Sequence, residues 1–228
     1  MIANKKEFYG GVALMAGFLV VLVFFFMPLF NGHNSMEYLD NLYNSISKGS
    51  AYYIPAMREK AAGFDGEALA VTLELADQAQ AENAAKLFQQ AGAAVKVNGN
   101  ELAVDGGLGR VLASAVDDAD AMYNNDGSKV AERYGMDERL ATYTWWRSLQ
   151  ALDKALKKQK AFQAAAAVDV IGKRAVETAY NYYGVEAQSI GDRFGMVIFS
   201  LAFYVIYTLW YGYAILFMFE GWGLRLSH

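Results

Sequence analysis

The chain has 228 residues, a formal charge of −4, 55% hydrophobic residues and 19% charged ones. That is too apolar for an ordinary soluble protein and too charged for a polytopic membrane protein, so the chain divides between lipid and water. The sequence has no cysteine, which excludes disulfides, thiolate-bound zinc, iron–sulfur clusters and covalently attached c-type haem, and the absence of a basic block argues against nucleic acid as a partner.

Residues 1–9 read as a short cytoplasmic tail. Residues 10–30 carry no charge, and a helix of about 21 residues crosses a hydrocarbon core of about 30 Å. A first transmembrane helix is expected over 10–31, closed by Pro28 in its last turn. Lys5 and Lys6 precede it as in a secretory signal, but the apolar run is longer than such a segment needs and no A-x-A site follows, which favours an uncleaved anchor.

Residues 32–67 are expected to form membrane-proximal helices. Met36, Leu39, Leu42, Tyr43 and Ile46 recur at helical spacing, with a break at Gly49 and a restart near Pro55. The period then changes. Leu69, Val71, Leu73 and Leu75 alternate as in a half-buried strand, a helix over 76–92 ends at Gly92, two short strands flank Asn98-Gly99-Asn100, and Asp105 is expected to cap a helix over 108–123. Residues 68–125 thus read as a small β-α-β-β-α sheet module with helices on one face.

Residues 126–192 read as a helical segment with a break near 135–137. Tyr143, Trp146, Leu149, Leu152 and Leu156 form its apolar stripe, and a second long helix is expected over 162–183. Trp146 is expected in the core; Trp145 points elsewhere on that helix and is a candidate contact for a partner. Tyr180, Tyr182 and Tyr183 are expected at a membrane interface, and the helices at the two ends of the domain are expected to pack as a stalk or hairpin carrying the sheet module. A second transmembrane helix is expected over 193–221, with a cytoplasmic tail at 222–228.

The fold class is therefore an α+β membrane protein, with two transmembrane helices flanking one extracytoplasmic domain. Lys5 and Lys6 before the first helix place both termini in the cytoplasm by the positive-inside rule, whereas Lys173, Arg174 and Arg193 against Arg225 argue the reverse for the second helix; the first helix is given precedence.

Chemistry is sparse. His33 and His228 fall on opposite sides of the bilayer and cannot ligate one iron within a chain, so no haem, metal or other cofactor is expected. Asp117, Asp118, Asp120 and Asp126 are predicted within or beside a helix and read as a solvated face rather than a calcium loop. Asp105-Gly106-Gly107-Leu108-Gly109-Arg110 lacks the spacing of a dinucleotide fingerprint and the lysine of a P-loop, so it reads as a turn and helix start. No nucleophile–histidine set is present, and the chain is read as no enzyme.

One face of the second apolar helix stands out. Ser200, Tyr204, Tyr207, Thr208 and Tyr211 fall at i, i+4, i+7, i+8 and i+11, placing five hydroxyls where hydrocarbon supplies no partner. This face is expected to meet protein, bound lipid or a buried small molecule, in part the first helix through Gly10, Ala13, Ala16 and Gly17. The expected function is a non-catalytic accessory or structural subunit of a multi-subunit complex in the cell (inner) membrane, with other membrane subunits or further copies of itself as partners. The alternative is a self-assembling ligand- or polymer-binding protein: the order helix, domain with long helices, helix is similar in layout to polysaccharide chain-length regulators. The proline-rich motif that this family carries beside its second membrane helix is absent, since both prolines, Pro28 and Pro55, lie near the first.

Overall fold

The computed structural model describes residues 2–30 and 32–224; Asn31 and the tail residues 225–228, with Arg225 and His228, lie outside the described residues. The described residues are mostly helical and hold one three-stranded sheet and two helices long and apolar enough to cross a membrane. It divides into two units, Met1–Gly49 with Glu186–His228, and Ser50–Val185.

In the first unit, α1 (Lys5–Phe26) opens where the Asn4 side chain accepts from the Lys6 and Glu7 amides, and stops ahead of Pro28 because the residue before a proline is driven out of helical backbone: Met27 sits at ψ 143°. Phe30 and His33 exchange backbone hydrogen bonds of 3.0 Å across a tight turn, with Gly32 at φ +87° supplying the left-handed step. α2 (Ser35–Ser50) then begins with a reciprocal capping box, in which Asn34 Oδ1 accepts from the Glu37 amide and Glu37 Oε2 from the Asn34 amide. It runs through Gly49, where a break was expected. α10 (Ile190–Trp222) is capped by Ser189 and runs 33 residues without interruption, a rod of roughly 50 Å.

α1 and α10 pair antiparallel. Phe8 meets Trp222 and Gly221, Phe18 stacks on Tyr207 with ring centroids 4.2 Å apart, and Phe25 stacks on Phe203 at 5.2 Å. The packed positions of α10, Ser200, Phe203, Tyr207, Trp210, Ala214 and Gly221, follow the seven-residue repeat of left-handed helix pairs. Those of α1 are Gly11, Leu14, Phe18, Leu22 and Phe25.

The second unit has one hydrophobic core, running from Ile54 to Ala179. α3 (Ile54–Ala62) starts with Pro55 in its first turn. β1 (Ala68–Glu74), α4 (Gln78–Gln90), β2 (Ala94–Asn98), β3 (Glu101–Gly107) and α5 (Leu108–Tyr123) come next, in the expected order. β3 is the central strand and pairs antiparallel with both neighbours, so β1 and β2 run parallel on either side of it, a split β-α-β arrangement. Gly99, at φ +60°, makes the two-residue turn between β2 and β3. Leu69, Val71, Leu73, Leu102 and Val104 face the core beneath α4 and α7; the opposite face of the sheet is open.

α6 (Gly127–Tyr134), α7 (Glu138–Lys158), α8 (Phe162–Ile171), a π-helical stretch (Gly172–Glu177) and α9 (Thr178–Tyr182) complete the unit. Two expectations are corrected here. α7 packs on the sheet, and α8 and the π-helical stretch pack on α7 within the same core, so no separate stalk forms. Asp105 does not cap α5: it lies in β3 opposite Ala70, and Gly107 occupies the cap position. Tyr182 and Tyr183 are engaged within the unit, Tyr182 against Tyr123 and Tyr183 through its hydroxyl to Glu138 at 2.9 Å.

Candidate functional site

α10 is joined to α2 where Tyr43 and Ser200 share a hydrogen bond of 2.6 Å, and the segment leading into α10 is joined to α2 where the Gln188 amide donates to Ser45 O at 3.0 Å. Ser200 Oγ itself donates to Val197 O at 2.9 Å, so Tyr43 is the donor between the helices. Around the Tyr43–Ser200 bond, among α1, α2 and α10, a groove of about 970 Å³ opens, apolar over most of its wall, with Leu22, Phe25, Leu39, Met36, Phe199 and Phe203 lining it and Ser200, Tyr204 and Tyr207 on one side.

The five hydroxyls of the predicted face part company here. Tyr207 donates to Phe18 O of α1 at 3.2 Å, and Trp210 Nε1, a donor not singled out from the sequence, reaches Leu14 O at 2.9 Å. Thr208 bonds back to Tyr204 O of its own helix at 2.7 Å. Tyr211 leans on Phe18. Tyr204 is 68% exposed, and its hydroxyl has no hydrogen bond among the described residues. Of the small residues expected to admit the second helix, only Gly17 faces it, under the Trp210 ring; Gly10, Ala13 and Ala16 point outward. Close approach falls one residue along, at Gly11, where a Cβ would stand 2.7 Å from Met218 N and 2.9 Å from Ala214 O, and at Gly221, which lies against the Phe8 backbone.

In the 50–185 unit the tryptophans exchange their expected roles. Trp145 is fully buried against Phe88, while Trp146 is only partly covered. Trp145 is therefore no partner contact. Its Nε1 donates at 2.8 Å to Asp118, which also accepts from the Tyr134 hydroxyl and pairs with Arg133. Asp118 is 1% exposed, so only three of the four aspartates stay at the surface: Asp117 and Asp120 share Arg58, and Asp126 pairs with Lys129. Burial pushes the Asp118 carboxyl above the usual carboxylate range, while its donors Tyr134 and Trp145 and the Arg133 charge pull it back. A carboxylate so thoroughly engaged holds α5, α6 and α7 together and has nothing left for a substrate.

The glycine-rich run is likewise structural. Gly106 abuts Ala93, Gly109 abuts the 64–65 backbone, and the Leu108 amide is taken by Glu67 O at 2.9 Å. His33 lies beside Glu37 in the turn before α2, and among the described residues no three of His, Asp or Glu converge to hold a metal ion. No family model, curated protein or solved structure matches this chain.

Buried tyrosines give the 50–185 unit an alkaline limit. Burial, with Tyr182, Tyr53 and Tyr52 close by, pushes Tyr123 up to about 12, and Tyr134 is raised by burial and by the Asp118 charge. Unfolded tyrosines ionise near ~10, so the folded state keeps protons that the unfolded chain releases. The stability these groups contribute is complete below that value and is lost as pH rises through about 12. Circular dichroism of the detergent-solubilised chain is expected to show unfolding begin in that window, and Tyr123→Phe, which cannot ionise, is expected to move the onset to higher pH.

Proposed function

We propose that the chain is a two-pass membrane protein, with both termini cytoplasmic and the 50–185 unit outside the cytoplasm, serving as a non-catalytic subunit of a larger membrane complex. The membrane reading is supported by what α1 and α10 leave uncovered. Val20, Val23, Phe24, Ile198, Phe199 and Ile206 all lie on the outside of the pair, an apolar surface far beyond what a soluble monomer exposes. Two observations favour an anchor over a cleavable leader: α1 is paired along its length, and the Ala3 and Asn4 amides both donate to Gly221 O at 2.9 Å.

The observation that carries the subunit reading is Tyr204. It lies near the midpoint of α10, at the lip of the apolar groove, with a hydroxyl for which hydrocarbon offers no acceptor. A membrane helix of another subunit, seated in the groove and presenting a carbonyl or hydroxyl to Tyr204, fills both needs. Purification of the tagged chain from its native membrane in mild detergent, followed by mass spectrometry and sizing, is expected to recover other membrane subunits in fixed ratio. Phe199→Ala combined with Tyr204→Phe, which removes a contact and an unpaired hydroxyl without touching the α1–α10 interface, is expected to cut their recovery about tenfold or more. A large oligomer of this chain alone would favour the self-assembling alternative, and a lone monomer would end both readings.

A further inference from the structure

A cleft in the 50–185 unit gathers groups that the core does not require. It lies between α7 and the π-helical stretch, where two cavities meet at Trp146 and Glu177. One, of about 240 Å³, is lined by Tyr143, Trp146, Glu177, Tyr180 and Asn181; the other, of about 320 Å³, continues past Leu149, Asp153, Asp169 and Lys173. The smaller is below the usual size of a drug-sized pocket and suits a head group.

Its walls come from two short repeats facing each other. Tyr143 and Trp146 are one turn apart on α7, their ring centroids 5.7 Å apart, and Glu177 and Tyr180 are one turn apart on the facing segment. Trp146 Nε1 donates to Glu177 Oε2 at 3.3 Å and fixes the indole across the gap. The π-helical stretch inserts an extra residue into the turn, seen in the Thr178 hydroxyl bonding to Lys173 O five residues back. It thereby rotates Glu177 and Tyr180 relative to α8. Such insertions are rare and recur at functional sites.

Three aromatic rings, one carboxylate and a carboxamide around a small space are the constituents of a site for an organic cation, because the ring faces carry the negative end of their quadrupoles. Arginines of the chain already approach two of these rings, Arg147 at 5.8 Å from the Trp146 centroid and Arg139 at 5.9 Å from that of Tyr180. The lining sets the valence: Asp153, Asp169 and Glu177 against Lys154 and Lys173 leave one negative charge. Asp169 is held by Lys173 and one oxygen of Asp153 by Lys157, but Asp153 Oδ1 is buried without any partner. A buried acceptor left open calls for a donor. We infer that this cleft binds a small organic ammonium ion, its charged head boxed by Tyr143, Trp146 and Tyr180 against Glu177, its polar tail directed toward Asp153.

The test uses the full-length chain in a maltoside detergent, which has no ammonium head group, with binding read by calorimetry. Choline is expected to bind saturably, and its uncharged isostere, in which tert-butyl replaces trimethylammonium, at least about tenfold more weakly. Glu177→Gln and Trp146→Leu are each expected to weaken choline binding about tenfold, with Lys86→Gln, at an exposed position on α4, unchanged. Equal binding of the isostere, no saturable choline binding, or a folded Glu177→Gln chain that binds as the wild type would overturn the assignment. Should Trp146→Leu fail to fold, the comparison of choline with its isostere on the unaltered chain still decides. Competition by phosphatidylcholine nanodiscs, against phosphatidylglycerol nanodiscs as control, would assign the ammonium to a lipid head group; competition by neither would assign it to a free solute.

Discussion

Replacing Asp118 by alanine is expected to destabilise the 50–185 unit by about 3–5 kcal/mol, the usual cost of removing one partner from a buried charged network. The loss is large because three groups from two elements depend on this carboxylate: Arg133 and Tyr134 at the end of α6, and Trp145 in the middle of α7. The alanine leaves the Trp145 indole N–H and the Tyr134 hydroxyl buried without acceptors, each costing about 1–3 kcal/mol, while Arg133, partly at the surface, can turn toward water. The melting temperature of the unit in detergent should fall by about 10 °C or more. Asp118→Asn keeps an acceptor and is expected to lose less. An alanine variant that melts with the wild type would mean that the network does not hold these helices together.

The second large effect is expected at Gly221→Leu. The Gly221 Cα lies against the Phe8 backbone, where not even a Cβ fits, so the leucine must separate the helices at that end. The chain has no cysteine, which makes an introduced pair a clean reporter. A Cβ at Gly223 would lie 3.2 Å from that of Ala3, close to the separation a disulfide takes. Ala3→Cys with Gly223→Cys is expected to oxidise in the otherwise unaltered chain, and adding Gly221→Leu to lower the oxidation rate about tenfold or more, as a loss of at least ~1.4 kcal/mol of pairing would produce; the strain of a side chain at Gly223, φ +90°, is common to both variants and cancels in the comparison. Unchanged oxidation would mean that the close approach does not hold the helix ends together.

The strands were readable because Leu69, Val71 and Leu73 alternate without interruption and Asn98-Gly99-Asn100 leaves only a hairpin as the local solution. Which strand is central was not written there, since β1 meets β3 through residues about thirty apart in sequence, beyond any local pattern. Trp145 and Trp146 show a different limit. Ala141, Trp145, Leu149, Leu152 and Leu156 are as good a helical stripe as the one containing Tyr143 and Trp146. The choice between them rests on Asp118, which accepts the Trp145 proton from another helix. Asp118 did carry a signal: it lies three residues after Ala115 and four before Met122, on the buried side of α5. A charged residue on an otherwise apolar face reads as solvated until its partners on other helices are known. In α10, likewise, the hydroxyl spacing masks the stricter repeat of Ser200, Tyr207, Ala214 and Gly221, which marks the helix interface.

The pairing of α1 with α10 joins two helices made far apart in time. From Phe26 to Ile190 is about 160 residues, which a ribosome translating 5–20 residues per second needs roughly 8–30 s to make. On the two-pass reading, α1 spends that interval in the bilayer with the face of Gly11, Leu14 and Phe18 unmatched, long after its own helix has formed. During biogenesis the face must be screened by lipid, by an insertion factor or by another nascent chain. Two chains made side by side therefore have time to exchange first helices before either can close on itself.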